Sequence, residues 1–348
     1  MTPARAPGEV AAPELLRDIL PGVSRSFALS LRVLPDPLRH PFGVTYLVAR
    51  AADTIADTGA LPPAARLTAL RALRDALADG AASPPALDGS APSGHTAAER
   101  TLLARLPDVL AAYQGLAPAD RARSREVLQT LTQAMVEALE RFPPEMADRV
   151  GAFDTRAELD RYTYMNAGCV GEYWTEMVAA HRPRCARWDV PAMRARGARF
   201  GQGLQLINVL RDLPRDLRIG RCYLPCVDLA ALGLVPQDLL TPAALPRLRP
   251  LLHALIDEAL LRLDEGREYT LAVPRRETRL RLATLWPLLI GLGTLARLRR
   301  AGNLLDPAAT VKVPRGEVRW LLLRSLGLVW SDRRLDAWIR RLAATAQR

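Results

Sequence analysis

Polar and apolar positions along the chain follow the 3.6-residue period of α-helices, and no stretch shows the two-residue alternation of a strand. Residues 1–20, with three prolines, predict a flexible N-terminal lead-in, and residues 80–97, rich in Pro, Gly, Ser and Ala, predict a loop. The helical patterns cover residues 24–34, 42–58, 99–113, 121–142, 159–181, 204–216, 248–271, 279–300 and 319–342. We therefore predict an all-α fold.

One of these helices carries a polar stripe on an otherwise apolar segment. Gln205, Asn208, Asp212 and Asp216 recur at three- and four-residue steps, which places them on one helical face. Burying carboxylates is costly unless a partner satisfies them, and hard divalent cations prefer oxygen ligands. The stripe thus indicates a metal site, and a helix N-cap region or a solvated helix face is the alternative.

The end of this helix carries a proline and several arginines. Pro214 lies between the two aspartates, and because proline lacks an N–H and disfavours helical geometry before it, we expect a kink or an end there. Arg215, Arg218 and Arg221 follow. Carboxylates followed by arginines suit a metal-bridged polyanion, since the cations can hold oxygens that the metals do not.

A second stripe of the same kind occurs in residues 42–58. Tyr46, Arg50, Asp53 and Asp57 share one helical face, and the helix is expected to stop at Gly59 and the following prolines. The aspartates could be simple charge patterning, because Arg50 can pair with either. The Asp-x-x-x-Asp spacing recurs at positions 212 and 216, however, and two such pairs can hold Mg²⁺ ions that neutralise a diphosphate.

Two weaker patterns leave their interpretation open. The segment Ser24-Arg25-Ser26-Phe27 at a helix start could bind a phosphate through hydroxyls, charge and free N–H groups, or could be a simple helix cap. Gly168 and Gly171 lie inside a predicted helix, where glycine costs about 1 kcal/mol. They would allow either a ligand or a neighbouring helix to approach closely.

Composition narrows the range of partners. The 348 residues carry a net charge of +11, which could serve nucleic acid, an anionic membrane surface or a polyphosphate ligand. The arginines are dispersed, without a basic tail or interleaved aromatics, so we predict no nucleic-acid partner. Lys312 is the only lysine, and the four cysteines show no zinc-site spacing, which indicates free thiols in a reducing cytosol.

The C-terminal pattern bears on membrane contact. Residues 319–342 are amphipathic, with Trp320, Trp330 and Trp338 among many arginines, and could pack on the core or lie on a membrane surface. The apolar stretch 282–296 is too short to span a bilayer. No secretory signal pattern is present at the N-terminus. We expect a cytoplasmic protein, with peripheral contact to the inner face of the membrane as an option.

Taken together, these stretches resemble the squalene and phytoene synthase family, in family order and over roughly residues 24–330. The matching segments are S-R-S-F (24–27), Y-L-V-A-R-A-A-D-T-I-A-D (46–57), Y-M-N-A-G-C-V-G-E (164–172) and Q-L-I-N-V-L-R-D-L-P-R-D-L-R-I-G-R-C-Y-L-P (205–225). The resemblance implies a single-domain, isoprenoid synthase-like helical bundle over residues 21–348, built around a central active-site cavity.

The resemblance also implies an activity, the head-to-head joining of two prenyl diphosphates. It assigns Mg²⁺, or Mn²⁺, to Asp53, Asp57, Asp212 and Asp216. The pyrophosphate would be held by Ser24, Arg25, Ser26, Arg50, Arg218 and Arg221, with Phe27 and Tyr46 also in the substrate site. Gln205 and Asn208 would orient the diphosphate or metal-bound waters. Tyr164 is a candidate for assisting proton loss, and pyrophosphate itself is the alternative base.

Within the family, the segment Val311 to Gly316 looks like the one that squalene synthases carry near their NADPH site, with Lys312 and Arg315 as the phosphate-binding cations. The expected reaction therefore converts two farnesyl diphosphates through presqualene diphosphate to squalene, a precursor of hopanoids or sterols. Substrate chain length and oligomeric state stay open.

Three alternatives accompany this expectation. The enzyme could stop at presqualene diphosphate, or make a phytoene- or dehydrosqualene-type product without NADPH. A class I terpene cyclase or chain-elongating enzyme is disfavoured, because Ala52-Asp53 offers no Asp-Asp-x-x-Asp motif. A non-catalytic helical assembly factor is disfavoured because all four aspartates are present.

Overall fold

The computed structural model describes residues 12–23, 27–58, 61–79, 96–142, 149–308 and 311–348. The chain divides into two compact units, Met1–Leu139 and Glu140–Arg348. Helices dominate both units, so the all-α prediction is confirmed, apart from one small sheet described below.

The first unit is organised around its fourth helix. Its helices are α1 (Ala12–Asp18), α2 (Leu20–Val23), α3 (Phe27–Val33), α4 (Asp36–Asp57), α5 (Pro63–Asp79), α6 (Ala97–Ala104), α7 (Leu106–Gln114) and α8 (Pro118–Arg141), the last turn of which passes the unit boundary. Helix α4 packs against α1, α5, α6 and α7. Its buried side is small and aliphatic, with Leu47, Val48 and Ile55 almost fully enclosed.

Several boundaries in this unit differ from expectation. The flexible lead-in is wrong for residues 12–20, because α1 and α2 bury Leu15 and Ile19. Residues 1–11 and 80–95 lie outside the described residues. The helix expected over residues 99–113 is two helices, because the chain breaks at Arg105 and restarts with a proline in the first turn of α7. Helix α4 ends at Asp57, as predicted.

The second unit is organised around its longest helix, α11. Its helices are α9 (Arg156–Thr163), a π-helical turn (Tyr164–Gly168), α10 (Cys169–His181), α11 (Val190–Arg218), α12 (Cys226–Ala231), α13 (Leu245–Ala272), α14 (Thr278–Arg300), α15 (Arg315–Leu328) and α16 (Asp332–Gln347), with 3₁₀ turns at Pro183–Cys185, Pro236–Leu240 and Pro242–Ala244. Helix α11 packs against α10, α13 and α14.

Glycines bring α10 and α11 into backbone contact. A Cβ atom added at Gly171 would lie 1.9 Å from the carbonyl oxygen of Gly197, and one added at Gly197 would lie 2.5 Å from the carbonyl oxygen of Gly171. One turn along, a Cβ at Gly201 would lie 2.2 Å from the carbonyl oxygen of Ala167. No side chain fits at these positions. At Gly171, therefore, the neighbouring helix and not a ligand makes the close approach.

Pro214 does not end α11, contrary to the expectation of a kink or an end there. The helix continues to Arg218 with the proline inside it. It stops at Gly220, whose φ of 77° is left-handed and typical of a helix C-terminal glycine. Asp212 and Asp216 therefore stand one turn apart on one continuous helix.

A two-stranded parallel sheet interrupts the helical architecture of the second unit. Strand β1 (Gly151–Phe153) pairs with β2 (Arg221–Pro225), Gly151 opposite Arg221, and a register shift follows Ala152. The absence of strands was a wrong expectation, because three and five residues are too few for a two-residue period to show. The sheet fixes the segment that leaves α11.

The C-terminal segment is two helices, not the one expected over residues 319–342. Ser331 caps α16, its hydroxyl accepting a hydrogen bond from the N–H of Arg334. Helix α16 buries Leu335, Trp338 and Ile339, whereas α15 buries only Leu321 and Ser325. Among the described residues, no helix combines the length and the hydrophobicity that a membrane-spanning segment requires.

A buried arginine joins α14 to α16. Arg281 is fully enclosed, and its Nη2 donates to Asp332 Oδ1 at 2.6 Å, while its Nε and Nη1 have no hydrogen-bond partner. Burial raises the pKa of Asp332, but hydrogen bonds from Arg275 and Arg281 outweigh this and leave the pKa below its ordinary value of 3.8. The carboxylate is the counter-charge that makes the buried guanidinium tolerable.

Replacing Gly197 with Ala is expected to lower the free energy of unfolding by about 2 kcal/mol, because the added methyl group meets the α10 backbone. Urea unfolding measured by circular dichroism tests this. Gly327→Ala is the matched control, since a Cβ there meets nothing within 4 Å and the helix should gain about 0.5 kcal/mol. Equal effects of the two substitutions would contradict the backbone contact.

Asp332→Asn is expected to destabilise the protein by about 3 kcal/mol at neutral pH, because Arg281 loses its counter-charge. The native pKa of Asp332 is lowered, so its stabilisation is complete above the unfolded pKa and is lost as pH falls through the native pKa. The difference from wild type should therefore shrink below about pH 4. Thermal unfolding across that pH range measures it, and a pH-independent difference would oppose the assignment.

Candidate active site

The polar stripe on α11 is accessible, although the rest of the helix is enclosed. Gln205, Asn208, Asp212 and Asp216 are each partly exposed, whereas Leu206, Ile207, Val209 and Leu210 between them are buried. The stripe is thus neither sealed in the core nor fully solvated. Charged groups in this position remain available to a ligand without the full cost of burial.

A hydrogen-bonded chain links the stripe to an aromatic residue from α9. Asn208 Nδ2 donates to Gln205 Oε1 at 3.2 Å, and Gln205 Nε2 donates to the Tyr162 hydroxyl at 3.5 Å. The Tyr162 ring stacks on Tyr223 of β2, with centroids 4.5 Å apart and planes inclined by 20°. The contact orients both amides along the accessible face of α11.

Tyr162 and Tyr223 belong to an aromatic cluster beside Asp216. Phe142 and Phe153 complete it, with ring centroids between 5.2 and 5.7 Å from their neighbours. Burial raises the pKa of both tyrosines, and the charge of Asp216 raises it further. Both are therefore neutral phenols at physiological pH. Sequence reasoning missed this cluster, although Tyr223 lies inside the strongest motif.

Asp212 has a partner that the sequence analysis also missed. Arg211 donates from Nε to Asp212 Oδ1 at 2.8 Å and from Nη2 to Oδ2 at 2.5 Å, a two-point contact between sequence neighbours. This hydrogen bond and the charges of Asp212 and Asp216 raise the pKa of Arg211, although burial opposes them. The guanidinium therefore neutralises the first aspartate of the pair.

The two arginines predicted to hold pyrophosphate have different surroundings. Arg221 interacts with the Tyr223 hydroxyl, which lies near Asp216, so it joins the α11 stripe. Arg218 is exposed, and its Nη1 donates to the carbonyl of Leu240 at 3.3 Å. The structure brings Arg221 to the stripe and directs Arg218 to the 3₁₀ turn Pro236–Leu240. A pyrophosphate role for either stays a prediction.

In the first unit, the stripe on α4 repeats the pairing of arginine with aspartate. Arg50 contacts Asp53 through Nη1 and Glu99 of α6 through Nη2. Burial raises the pKa of Glu99, but hydrogen bonds from Thr96 and Arg50 outweigh it and lower the pKa. Glu99 was not predicted as a site residue. It holds the guanidinium on the same side as Asp53.

The remaining residues predicted in the first unit are only partly described. Asp57 is exposed at the end of α4, and the Tyr46 hydroxyl donates to the carbonyl of Val23 at 3.3 Å. Phe27 is the first residue of α3. Ser24, Arg25 and Ser26 lie outside the described residues, so their phosphate-binding role stays a prediction.

Tyr164 lies in the π-helical turn and contacts α10, not the stripe. Its hydroxyl donates to Glu172 Oε2 at 2.9 Å, and Arg194 of α11 donates to the same oxygen at 3.4 Å. Burial, the hydrogen bond to Glu172 and its charge raise the pKa of Tyr164 to about 12. The residue that contacts Gln205 is Tyr162, two positions earlier. The catalytic role of Tyr164 stays a prediction.

Lys312 and Arg315, predicted to hold NADPH, are both exposed. Between them, Val313 packs on α14, where a Cβ added at Gly293 would lie 3.2 Å from Val313 Cγ2. The opposite side of α14 faces α11, since a Cβ at Gly291 would lie 3.2 Å from Ile207 Cδ1. The two cations therefore lie beside the start of α15, separated from α11 by α14.

The aspartate oxygens on each helix suit a metal ion whose coordination shell is completed by a bound ligand. Among its described residues, neither unit gathers three or more His, Cys, Asp or Glu side chains that could hold a metal alone. Mg²⁺ is commonly bound by one or two carboxylates together with substrate phosphates and water. Asp212 and Asp216, one turn apart on an accessible face, fit that requirement, as do Asp53 and Asp57 on α4.

Comparison with known proteins identifies the family. The family model described as squalene/phytoene synthase matches residues 20–317, so the chain belongs to the squalene/phytoene synthase family. A bifunctional lycopene cyclase/phytoene synthase from Aspergillus oryzae is 28% identical over 315 residues, covering 89% of this chain and 51% of that protein. The squalene synthase of Eremothecium gossypii is 28% identical over 209 residues, 60% of this chain and 44% of that protein. The chain thus spans about half the length of these curated relatives.

Solved structures establish the fold. TcSQS in complex with a ligand superposes with a TM-score of 0.74 at 22% identity, covering 97% of both chains. A dehydrosqualene synthase gives 0.64 at 19% identity, covering 91% of this chain and 95% of that one. The all-α fold is therefore that of these synthases. That residues 21–348 form a single domain around one central cavity stays a prediction.

Replacing Arg211 with Gln is expected to tighten Mn²⁺ binding to the ligand-free protein about fivefold. The reason is that Asp212 loses its guanidinium partner and a unit charge near the metal position disappears. Calorimetric titration measures the affinity. Arg199→Gln, an exposed arginine more than three turns earlier on the same helix, is the control and should change little. An affinity no higher than that of the control would contradict the competition between Arg211 and metal.

Proposed function

We propose that the protein is a metal-dependent prenyltransferase that joins two farnesyl diphosphates head to head, through presqualene diphosphate, to give squalene. The observation that carries the proposal is the accessible pair Asp212 and Asp216, one turn apart on α11 and beside an aromatic cluster that is largely buried. Carboxylates that can hold a cation–diphosphate complex next to an apolar, aromatic wall suit a reaction that ionises an allylic diphosphate.

The charged residues would bind the diphosphates. Asp212 and Asp216, and Asp53 and Asp57 of the first unit, would hold Mg²⁺. The bound ions supply the positive charge that lets a diphosphate leave. Arg211 and Arg50 each pair with one of these aspartates in the protein alone. With that carboxylate engaged by a cation, each guanidinium would be available to diphosphate oxygens, as would Arg221 beside Tyr223.

The aromatic cluster would protect the cation that ionisation leaves behind. Phe153, Tyr162 and Tyr223 are neutral at physiological pH, so they offer ring faces without a competing nucleophilic phenolate. Phe153 and Tyr223 are buried and Tyr162 is half-buried, so this wall would exclude the water that could trap the cation as an alcohol. Gln205 and Asn208, already oriented by Tyr162, would position the diphosphate or metal-bound water.

The proton removed during cyclopropane closure needs a base. The Tyr164 hydroxyl already donates to Glu172, and a pKa of about 12 keeps it protonated at neutral pH. These observations favour the released pyrophosphate, held by the arginines, as the proton acceptor. Tyr164 would then act by positioning α10.

A second candidate is a synthase of the same family that needs no reductant. NADPH would supply the hydride for squalene, and Lys312 and Arg315 at the start of α15 suit a phosphate group by charge. Their position across α14 from α11 favours the non-reductive alternative. In that case the product is presqualene diphosphate or a compound of the phytoene or dehydrosqualene type.

Incubation of the purified protein with farnesyl diphosphate and Mg²⁺, with and without NADPH, separates these candidates by mass spectrometry of the products. Squalene that forms only with NADPH, with presqualene diphosphate accumulating without it, supports the first proposal. Lys312→Gln and Arg315→Gln should then raise the KM for NADPH and leave the first condensation unchanged. A product unaffected by NADPH supports the non-reductive candidate.

Asp212→Asn and Asp216→Asn are each expected to lower kcat by about three orders of magnitude, or about 4 kcal/mol, because each removes a metal ligand. Asp257→Asn is the control, an aspartate of α13 paired with Arg299 outside the stripe. Activity that survives both stripe substitutions would refute the metal assignment. No pyrophosphate release from wild type with farnesyl diphosphate or a longer prenyl diphosphate would favour the non-catalytic assembly factor.

A further inference from the structure

An unusual share of the exposed apolar surface lies on one short segment. Eight large hydrophobic residues are exposed in the described part of the chain, and four of them fall between positions 320 and 330. These are Trp320 (47% exposed), Leu323 (70%), Leu326 (50%) and Trp330 (59%). Such residues are ordinary when scattered, but a cluster marks an interaction surface.

The orientation of α15 is fixed by its opposite side. Leu321 and Ser325 are buried, and the Ser325 hydroxyl accepts a hydrogen bond from Trp286 Nε1 of α14 at 3.0 Å. Trp320, Leu323 and Leu326 lie on the other side of the helix, with Leu323 near the centre of that side. The apolar residues therefore face outward because the helix is docked, not because it is loose.

The same segment is strongly basic. Residues 311–348 contain nine basic and three acidic residues. Each of the three carboxylates is paired with an arginine of the unit's core helices, Glu317 with Arg297, Asp332 with Arg281 and Asp336 with Arg267. The positive electrostatic potential of the exposed arginines on and beside α15 is therefore only weakly reduced by these carboxylates. These arginines are Arg315, Arg319, Arg324, Arg333 and Arg334.

We propose that this α15 face, defined by Trp320, Leu323, Leu326 and Trp330 with Arg319 and Arg324, binds an anionic lipid bilayer surface. Leucine and tryptophan side chains would enter the region between headgroups and acyl chains, and the arginines would contact anionic headgroups. Arg324 already lies over the Trp320 ring, 5.0 Å from its centroid, so an arginine and an indole are held together as an interfacial pair.

Charge favours an anionic bilayer over a second copy of the chain as the partner of the α15 face. A symmetric dimer through the α15 face would bring arginines of one copy against those of the other, with the nearby carboxylates already engaged. An anionic bilayer complements the whole face. This inference rests on exposure and charge alone and does not depend on the proposed function.

Co-sedimentation of the full chain with extruded vesicles tests the proposal without substrate. We expect binding to vesicles of phosphatidylcholine mixed with phosphatidylglycerol, weaker binding to phosphatidylcholine alone, and loss of binding at high salt. Tryptophan fluorescence should shift to shorter wavelength on binding, and Trp330→Phe should reduce that shift. Leu323→Ser combined with Leu326→Ser should lower the partition coefficient at least tenfold.

The charge contribution has its own pair of variants. Arg319→Gln and Arg324→Gln should each weaken partitioning about fivefold, and Arg187→Gln, an exposed arginine elsewhere, should not. Leu261→Ser, which removes the exposed leucine of α13, is the matched apolar control and should leave binding unchanged. Circular dichroism confirms that each variant is folded.

Absence of binding to the anionic vesicles overturns the proposal, as does binding that the α15 variants leave unchanged. A dimer in analytical ultracentrifugation that Leu323→Ser dissociates, together with no vesicle binding, would instead assign the face to a second copy. Vesicle binding lost only in the α15 variants supports the proposal whatever the product assay gives.

Discussion

The backbone contact between α10 and α11 is the constraint on which the second unit depends. Where Gly171 and Gly197 meet, a methyl group would overlap the opposite carbonyl, so the two helices can approach this closely only with glycine at both positions. The contact continues at Gly201, opposite the π-helical turn. Because the π-helical turn follows α9 directly, the same contact fixes α9, and with it Tyr162, beside Gln205. The accessible stripe owes its orientation to this packing.

In both stripes, an arginine neutralises part of the negative charge of two neighbouring aspartates. Two aspartates one turn apart on a helix repel each other, and this repulsion would destabilise the protein without a counter-charge. Arg211 on α11 and Arg50 on α4 supply one at each pair. Two carboxylates can thus stand one turn apart in the folded protein without a bound cation. A cation that bound them would have to displace the guanidinium.

The apolar residues of the two C-terminal helices differ in what they contact. Helix α16 buries Leu335, Trp338 and Ile339 against the unit, so its amphipathic pattern is satisfied by packing. Helix α15 is apolar on both sides, with Leu321 inside and Leu323 outside. Leu323 and Leu326 are exposed, whereas Trp320 also packs edge-on against Trp338 of α16. The arginines around these residues set the chemistry of what could cover them.

Local patterns in the sequence were enough to predict the helical class, the two aspartate stripes and the family. These follow from local periodicity and from motifs whose residues lie within a few turns of each other, where spacing alone decides which side chains share a face. The end of α4 also followed from local signals, because Gly59 and the prolines after it cannot continue a helix.

What each stripe contacts depends on how distant parts of the chain pack together. Tyr162 reaches Gln205, and Tyr223 stacks on it, through a strand pairing between residues far apart in the sequence, which no local period encodes. Pro214 did not end α11, because Leu213, Pro214 and Leu217 are buried and their packing outweighs the cost of a proline inside a helix. Whether α15 or α16 faced the core was equally undetermined locally, since both are rich in leucine, tryptophan and arginine. The hydrogen bond from Trp286 to Ser325 fixes which side of α15 faces α14.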